Sequence, residues 1–152
     1  MSTPLWHEDI VVGSHYRTAD HQITTDEIVE FASRFDPQPF HLGDDGAAGT
    51  IFGSLAASGW HTAAITMRLL VSSGIPIATG VICASIELAW LAPTRPGDVL
   101  HVDLTVSDVV PSRSKPERGF ITCTYDTVNQ HGEVRQRTTA RLLVFRRPAA
   151  ER

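Results

Sequence analysis

The chain has 152 residues, of which 42% are hydrophobic and 20% are charged, a composition typical of one folded globular domain. This composition excludes the disordered and collagen-like classes of protein. The formal net charge is −4, whereas nucleic-acid-binding proteins usually carry a basic excess, so no nucleic-acid partner is expected. We predict a single domain over residues 1–152, with an ordered core over about residues 10–147.

No segment of the sequence is expected to direct the protein to a membrane or across one. Residues 1–9 lack the apolar core of a signal peptide. The most apolar stretch, residues 60–71, contains a histidine and an arginine and is too short to span a bilayer. Cys83 and Cys123 are far apart, and the histidines show no metal-ligand spacing. We therefore predict a cytoplasmic protein with no disulfide scaffold, no metal site and no cofactor.

The first half of the chain predicts one short strand and two helices. Residues 15–22 have the pattern of a short strand, and a capping box at Thr24 begins a helix that ends before Pro37. A second helix is predicted from Ser58 to Gly74, and it is apolar on most of its surface. We expect this second helix to lie in the core.

The second half changes to the two-residue period of β-strands. Strands are predicted over residues 81–92, 100–107, 119–128 and 133–145, and the last two are joined by a hairpin loop around residues 129–132. The first of these strands has one wholly apolar face, and the second alternates apolar and polar residues. Because each apolar sheet face needs a cover, the layout predicts one helix wrapped by an antiparallel sheet.

The most unusual segment is residues 35–41, in which two prolines restrict the backbone between Asp36 and His41. A rigid loop would hold this carboxylate and this imidazole in a fixed relation. Addition of water to an activated double bond needs such a pair of groups on one water molecule. The alternative is that Asp36 caps a turn and that His41 is a surface loop residue.

Small residues at positions 53–60 lead into the second predicted helix. Small side chains let a ligand approach the backbone, and a helix N-terminus offers unpaired N–H groups that can hold negative charge. The alternative interpretation is close packing of the helix against the sheet. Position 58 is not a hydrolase nucleophile elbow, because Ala56 occupies the place of the first glycine in that motif.

A third cluster consists of the basic residues Arg113, Lys115 and Arg118 in one loop, with Arg95 in another. These side chains would be suited to the phosphates of an anionic ligand such as CoA, since the overall charge of the chain is unfavourable for one. The alternative is a solvated loop with ordinary surface charges.

The segment from Asp36 to His41 has a proline two positions before the histidine, and the histidine follows the aspartate by five positions. Residues 57–59 (Ala, Ser and Gly) stand at the start of the predicted buried helix. These segments resemble the hydratase motif of the MaoC-like dehydratases, a family that includes the R-specific enoyl-CoA hydratases. The resemblance extends over most of residues 10–147.

The resemblance implies an α+β hot-dog fold, in which an antiparallel sheet of five or six strands wraps a long central helix. It also implies a homodimer or larger assembly with the acyl pocket at the subunit interface. The expected activity is hydration of a 2-enoyl-CoA, or of an acyl carrier protein thioester, to the R-3-hydroxyacyl product, or the reverse dehydration. In this scheme Asp36 and His41 act on one water, and the Gly59 amide polarises the thioester carbonyl. The residues expected to bind the substrate are Gln38, Phe40, Phe52, Ser58, Trp60, Arg113 and Lys115.

Three positions depart from the family pattern: Phe35 replaces a glycine, Gln38 an asparagine and Ser58 a histidine. Gln38 keeps the amide hydrogen-bonding groups, whereas the other two changes would reshape the acyl pocket and so bear on the substrate. Two other functions remain open on the sequence. One is a hot-dog acyl-CoA thioesterase, in which an activated water attacks the thioester carbon. The other is a non-catalytic acyl-CoA-binding subunit.

Overall fold

A computed structural model describes residues 2–152 of the chain. Its α-helices all lie in the first half of the chain. They are α1 (Thr25–Phe35), α2 (Asp44–Ala47) and α3 (Gly59–Ser73). The Thr24 hydroxyl accepts a hydrogen bond from the Glu27 N–H at 3.2 Å, and the Glu27 carboxylate accepts one from the Thr24 N–H at 2.9 Å. This pair confirms the predicted capping box. At the start of α3 the Ser58 hydroxyl accepts a hydrogen bond from the Trp60 N–H at 3.3 Å.

Six strands form an antiparallel sheet in the order β1-β4-β5-β6-β3, with β2 also paired to β4. The strands are β1 (His15–Arg17), β2 (His21–Gln22), β3 (Ile82–Trp90), β4 (Val99–Pro111), β5 (Arg118–Val128) and β6 (Val134–Phe145). The prediction of one strand over residues 15–22 was wrong, because the chain forms two short strands there. The Thr18 N–H still donates to the Val102 carbonyl at 3.0 Å, but the Val102 N–H donates to the Thr18 hydroxyl at 2.9 Å, so a side-chain oxygen takes the place of a backbone carbonyl here.

The core lies between α3 and the sheet. The inward-facing residues of β4, Leu100, Val102, Leu104 and Val106, are fully buried, which confirms the predicted alternation of this strand. From α3, Ile65, Leu69 and Leu70 pack into the same cluster. In the described part of the chain, no helix is long and apolar enough to cross a membrane.

The strand with the wholly apolar face, β3, lies at the edge of the sheet and is paired on one side only, to β6. A β-bulge between Cys83 and Ser85 shifts its register. After the bulge Ile86, Leu88 and Trp90 pair with the core-facing residues of β6, yet Ile86 is 50% exposed. The apolar face therefore stays open in the single chain, at the margin of the core that α3 covers.

A buried ion pair fixes the turn that follows β3. The Arg135 guanidinium donates to both oxygens of the Asp98 carboxylate, at 3.0 and 3.3 Å. The same carboxylate accepts hydrogen bonds from the Asn129 side chain at 3.2 Å and from the Arg95 N–H at 2.9 Å. Asp98 and Arg95 belong to the turn of residues 94–98, whereas Asn129 and Arg135 belong to the β5–β6 hairpin. The hydrogen bonds to Asp98 therefore join the turn to the hairpin.

Candidate active site

Asp36 is the first of the predicted catalytic residues, and it lies at the C-terminal end of α1. Its carboxylate is partly buried and accepts two side-chain hydrogen bonds. The Gln38 amide donates to Oδ1 at 2.7 Å, and the Ser58 hydroxyl donates to Oδ2 at 2.7 Å. Ser58 itself is fully buried. The carboxylate therefore has one fixed orientation, which is set from both the loop and the start of α3.

His41 is buried in a short 3₁₀ turn, Pro39–His41. Its Nδ1 lies 2.6 Å from the Ala56 carbonyl oxygen, and because a carbonyl only accepts, this nitrogen must carry a hydrogen. The other nitrogen, Nε2, then faces Oδ2 of Asp36 at 3.3 Å. The hydrogen bond to Ala56 therefore leaves Nε2 as the nitrogen that can exchange a proton beside the carboxylate.

Burial raises the pKa of the Asp36 carboxyl, but the hydrogen bonds from Ser58 and Gln38 and the nearby His41 ring outweigh burial and leave its pKa below the ordinary value. The group is consequently an ionised carboxylate at neutral pH. An ionised carboxylate next to a ring nitrogen can hold a water molecule that contacts both groups, and the carboxylate can accept a proton from it.

Gly59 is the first residue of α3, and its N–H is one of the amides that a helix cannot pair internally. The indole ring of Trp90 lies so close that a Cβ atom at position 59 would come within 2.7 Å of it. The Trp90 Nε1–H donates to the Gly59 carbonyl and to the Gln136 side chain, both at 3.0 Å. Only glycine allows this approach, so the indole and the helix start form one wall.

A cavity of about 340 Å³ opens beside this wall and reaches His41. Its mouth is formed by exposed apolar residues, Ile51 and Leu91 among them, and its buried end by His41, Ala57, Thr62 and Thr94. The cavity therefore brings together the imidazole, the N-terminus of a helix and an apolar entrance. This combination is suited to a thioester whose reacting carbons lie at His41.

A family model described as the MaoC like domain matches residues 9–129. The chain belongs to the MaoC-like family. A crystal structure of a MaoC-like dehydratase from Rhodospirillum rubrum superposes with a TM-score of 0.93 at 57% sequence identity, over 95% of this chain and 99% of that chain. The 3-hydroxybutyryl-CoA dehydratase of Methylorubrum extorquens is 32% identical over 79% of this chain and 73% of that protein.

The (R)-hydratase from A. caviae, described as involved in PHA biosynthesis, superposes with a TM-score of 0.72 at 24% identity, over 93% of this chain and 99% of that chain. At this identity the similarity shows the fold alone. Together with the six-stranded antiparallel sheet around α3, it confirms the hot-dog fold that the sequence resemblance predicted.

Two aromatic residues of the predicted site pack around His41 from the side of the loop. Phe40 packs edge-on against the His41 ring at 4.6 Å and contacts Phe52 at 4.8 Å. Phe52 lines the cavity. Its carbonyl accepts a hydrogen bond at 2.6 Å from Arg95, which also donates to the carbonyls of Ser54 and Leu55. Arg95, considered on the sequence as a phosphate ligand, thus holds the loop that carries Phe52.

Several predicted residues lie outside the cavity. Trp60 is 60% exposed and contacts Trp90 edge-on at 5.1 Å, on the solvent side of α3. Phe35 is exposed and packs on Phe31. The cavity of this chain is lined by neither of them.

Arg113 and Lys115 are exposed in the loop between β4 and β5, at the opposite end of the sheet from the cavity. The nine residue-to-residue steps from Arg118 to Thr127 along β5 correspond to about 30 Å at the rise of a strand. Within one chain these two side chains therefore lie far from the Asp36–His41 pair. Their predicted role at the CoA phosphates stays a prediction.

Residues that the sequence analysis missed form much of the wall. Trp90, Thr62 and Thr94 line the cavity, and Ala56 fixes the His41 tautomer through its backbone. Trp90 is one of the apolar residues that recur at every second position of β3. This pattern did not indicate that its indole would face Gly59. The two threonines are separated by 32 positions, so only the fold brings them together.

The other cavities of the described residues lack the combination of His41, a helix N-terminus and an apolar entrance. A larger one, of about 650 Å³, lies on the outer side of β4, where His101 and Asp103 contact each other at 3.1 Å. It contains neither a helix N-terminus nor the Asp36–His41 pair. Among residues 2–152, no three His, Cys, Asp or Glu side chains are arranged to hold a metal ion.

Removal of the Ser58 hydroxyl is expected to change the pH dependence of the site. In Ser58→Ala the pKa of Asp36 loses one of the interactions that lower it, so it rises toward the ordinary value. The acid limb of the kcat/KM profile should therefore move to higher pH. Ser58→Thr keeps a hydroxyl and should keep the wild-type profile. An unchanged acid limb in a folded Ser58→Ala protein would show that the bond to Asp36 does not set its ionisation.

Proposed function

We propose that this MaoC-like protein hydrates 2-enoyl thioesters, or dehydrates the corresponding 3-hydroxyacyl thioesters. The observation that carries the proposal is the Asp36–His41 pair, whose side chains lie 3.3 Å apart and whose His41 ring lines a cavity that also reaches Gly59 at the N-terminus of α3. The kinship with a 3-hydroxybutyryl-CoA dehydratase supports a CoA thioester as the substrate. An acyl carrier protein thioester would present the same acyl group.

In the hydration direction, a water molecule binds beside the pair, in contact with both the Asp36 carboxylate and Nε2 of His41. Asp36 accepts a proton as the water oxygen forms its bond to C3, and the electrons of the double bond move to C2 and the thioester oxygen. A proton then reaches C2 through His41, and both side chains return to their starting protonation states. The net change is that one O–H bond and the C2–C3 π bond are broken, and that one C3–O bond and one C2–H bond are formed.

The negative charge that develops on the thioester oxygen needs a donor that is in place before the reaction. The Gly59 N–H, at the positive end of the α3 dipole, supplies one. Trp90 packs on Gly59 and excludes water from this side. Gln38 holds the far oxygen of Asp36, and Phe40 and Phe52 enclose His41, so these three residues act by keeping the dyad in position.

The exposed edge of β3 supports a dimer with a second copy of this chain. Its backbone is unpaired on one side, and the apolar residues Ile82, Ile86 and Trp90 lie along it. An unprotected apolar edge strand is a ready template for another strand. Antiparallel pairing of two β3 strands around Ile86 would place the cavity of one copy near the sheet end of the other, where its Arg113 and Lys115 lie. These two residues would then meet the CoA phosphates of the neighbouring site.

Ile86→Lys is expected to convert a dimer into a monomer, because two lysines would face each other at the centre of the paired strands. Light scattering at micromolar concentration gives the mass. Val110→Lys, which replaces another exposed apolar residue on a strand away from this edge, should leave the dimer intact. A wild-type monomer at this concentration, or a dimeric Ile86→Lys protein, would contradict pairing through β3.

The function is tested with 2-enoyl-CoA thioesters of different chain lengths, by loss of the absorbance of the conjugated double bond. A parallel assay for free thiol separates hydration from thioester hydrolysis. We expect loss of the double bond without release of CoA. Release of free CoA at the same rate would favour the thioesterase, and tight binding without turnover would favour a non-catalytic subunit.

A further inference from the structure

The buried end of the cavity is polar. Thr62, on α3, and Thr94, after β3, line it and are both buried. The Thr62 hydroxyl donates to the Thr94 hydroxyl oxygen at 2.9 Å. By contrast, the mouth is formed by apolar side chains that are exposed, such as Ile51 and Leu91. The acyl end of a thioester that enters this cavity would therefore meet His41 and two hydroxyl groups at the buried end.

The space behind these hydroxyls is filled by a second layer of buried polar side chains. Thr66 contacts Thr127 at 2.6 Å, and the Gln136 amide donates to Thr138 at 3.2 Å and to Thr66 at 3.5 Å. The Gln136 oxygen accepts the Trp90 Nε1–H. Because each of these groups is hydrogen-bonded, an alkyl chain that pushed between α3 and the sheet would leave buried polar groups unpaired.

The volume of the cavity also favours a short acyl chain. About 340 Å³ is at the low end of the range for small-molecule sites, and it must hold the thioester as well as the acyl chain.

Thr94 has an unused hydrogen-bond donor. Among the described residues its hydroxyl accepts the bond from Thr62 and donates none, so it has a donor to offer to a ligand.

A carboxylate at the end of the acyl chain is disfavoured, because no Arg or Lys lines the cavity among the described residues and the adjacent Arg95 is already used. The Arg95 guanidinium donates to the carbonyls of Phe52, Ser54 and Leu55 and to the Ser54 hydroxyl. The donor at Thr94 is therefore matched to an uncharged oxygen, such as a hydroxyl or a ketone.

We infer that the acyl group of the substrate is short and carries an uncharged oxygen near its far end, which accepts a hydrogen bond from Thr94. This inference rests on the proposed hydratase function. It assigns Thr62 and Thr94 as the residues that determine specificity, and it excludes long saturated tails from the cavity.

The test compares three substrates on the wild-type protein: crotonyl-CoA, its analogue with a hydroxyl group on the terminal carbon, and an unsubstituted eight-carbon 2-enoyl-CoA. The hydroxylated substrate is expected to have a kcat/KM about threefold to tenfold above that of crotonyl-CoA, the effect of one hydrogen bond. The eight-carbon substrate should be at least about tenfold below crotonyl-CoA.

The variant Thr94→Val has nearly the same shape without the hydroxyl, and it should bring the ratio between the hydroxylated substrate and crotonyl-CoA to about one. Thr94→Ser keeps the donor and should keep the wild-type ratio, which separates loss of the donor from a disturbed fold. Equal rates for all three substrates, or an unchanged ratio in Thr94→Val, would overturn the inference while the hydratase function stands. No hydration of any of the three would instead count against the proposed function.

Discussion

Asp36→Asn is expected to lower kcat for enoyl-thioester hydration by roughly 10²–10⁴-fold, the usual contribution of a positioned general acid or base. Asparagine keeps the size of the side chain and an oxygen that can accept the Ser58 hydrogen bond. It removes the charge that accepts a proton from water. Substrate binding and the free energy of unfolding should therefore change little, and the loss should be in turnover.

His41→Gln should give a loss of the same order, because it keeps a polar side chain but removes the ring nitrogen that faces Asp36. Since both groups act on one water molecule, the double variant should be little slower than either single one. Asp103→Asn is a matched control, because Asp103 also lies beside a histidine, His101 at 3.1 Å, but outside the cavity. Hydration within tenfold of wild type in a folded Asp36→Asn protein would refute the assignment of the dyad.

Asp98→Ala is expected to be the most destabilising of the substitutions considered. It leaves the Arg135 guanidinium buried without its partner and removes the acceptor of the Asn129 amide and the Arg95 N–H. Removal of one partner from a buried ion pair typically costs roughly 3–5 kcal/mol in the free energy of unfolding. The measurement is the midpoint of urea denaturation, which should fall without a large change in slope.

Arg137→Ala provides the control for this stability prediction. Arg137 also donates two hydrogen bonds to a carboxylate on the same sheet, that of Asp126 at 2.9 and 3.0 Å, but this pair is exposed. Solvent screens exposed pairs, so the denaturation midpoint should stay close to that of wild type. Equal losses in Asp98→Ala and Arg137→Ala would show that burial of the Asp98 pair has no special role.

The parts of the fold that local patterns determine were predictable from the sequence. The Thr24 capping box, the buried helix after Ser58 and the alternation of β4 all depend on residues a few positions apart, and the structure has all three. The prolines around Gln38 likewise indicated a fixed loop, and the structure brings Asp36 and His41 within 3.3 Å of each other.

The remaining features depend on contacts between distant segments. The first predicted strand is interrupted at Thr18, where the hydroxyl accepts a hydrogen bond from Val102, 84 positions away. The apolar face of β3 gave no indication of its place at the sheet edge, since strand order is not encoded in the period of a single strand. Arg95 was indistinguishable from a phosphate ligand until its partners, the carbonyls of residues 52–55, were placed beside it.

The central claim is that this protein adds water to C3 of an enoyl thioester, and oxygen-18-labelled water tests it directly. Crotonyl-CoA is incubated with the protein in labelled water, and the products are separated and analysed by mass spectrometry. The account predicts a 3-hydroxyacyl-CoA with one labelled oxygen at C3 and with CoA still attached, and no such product from Asp36→Asn on the same time scale. Label in the carboxylate of a free acid, or no labelled product at all, would contradict it.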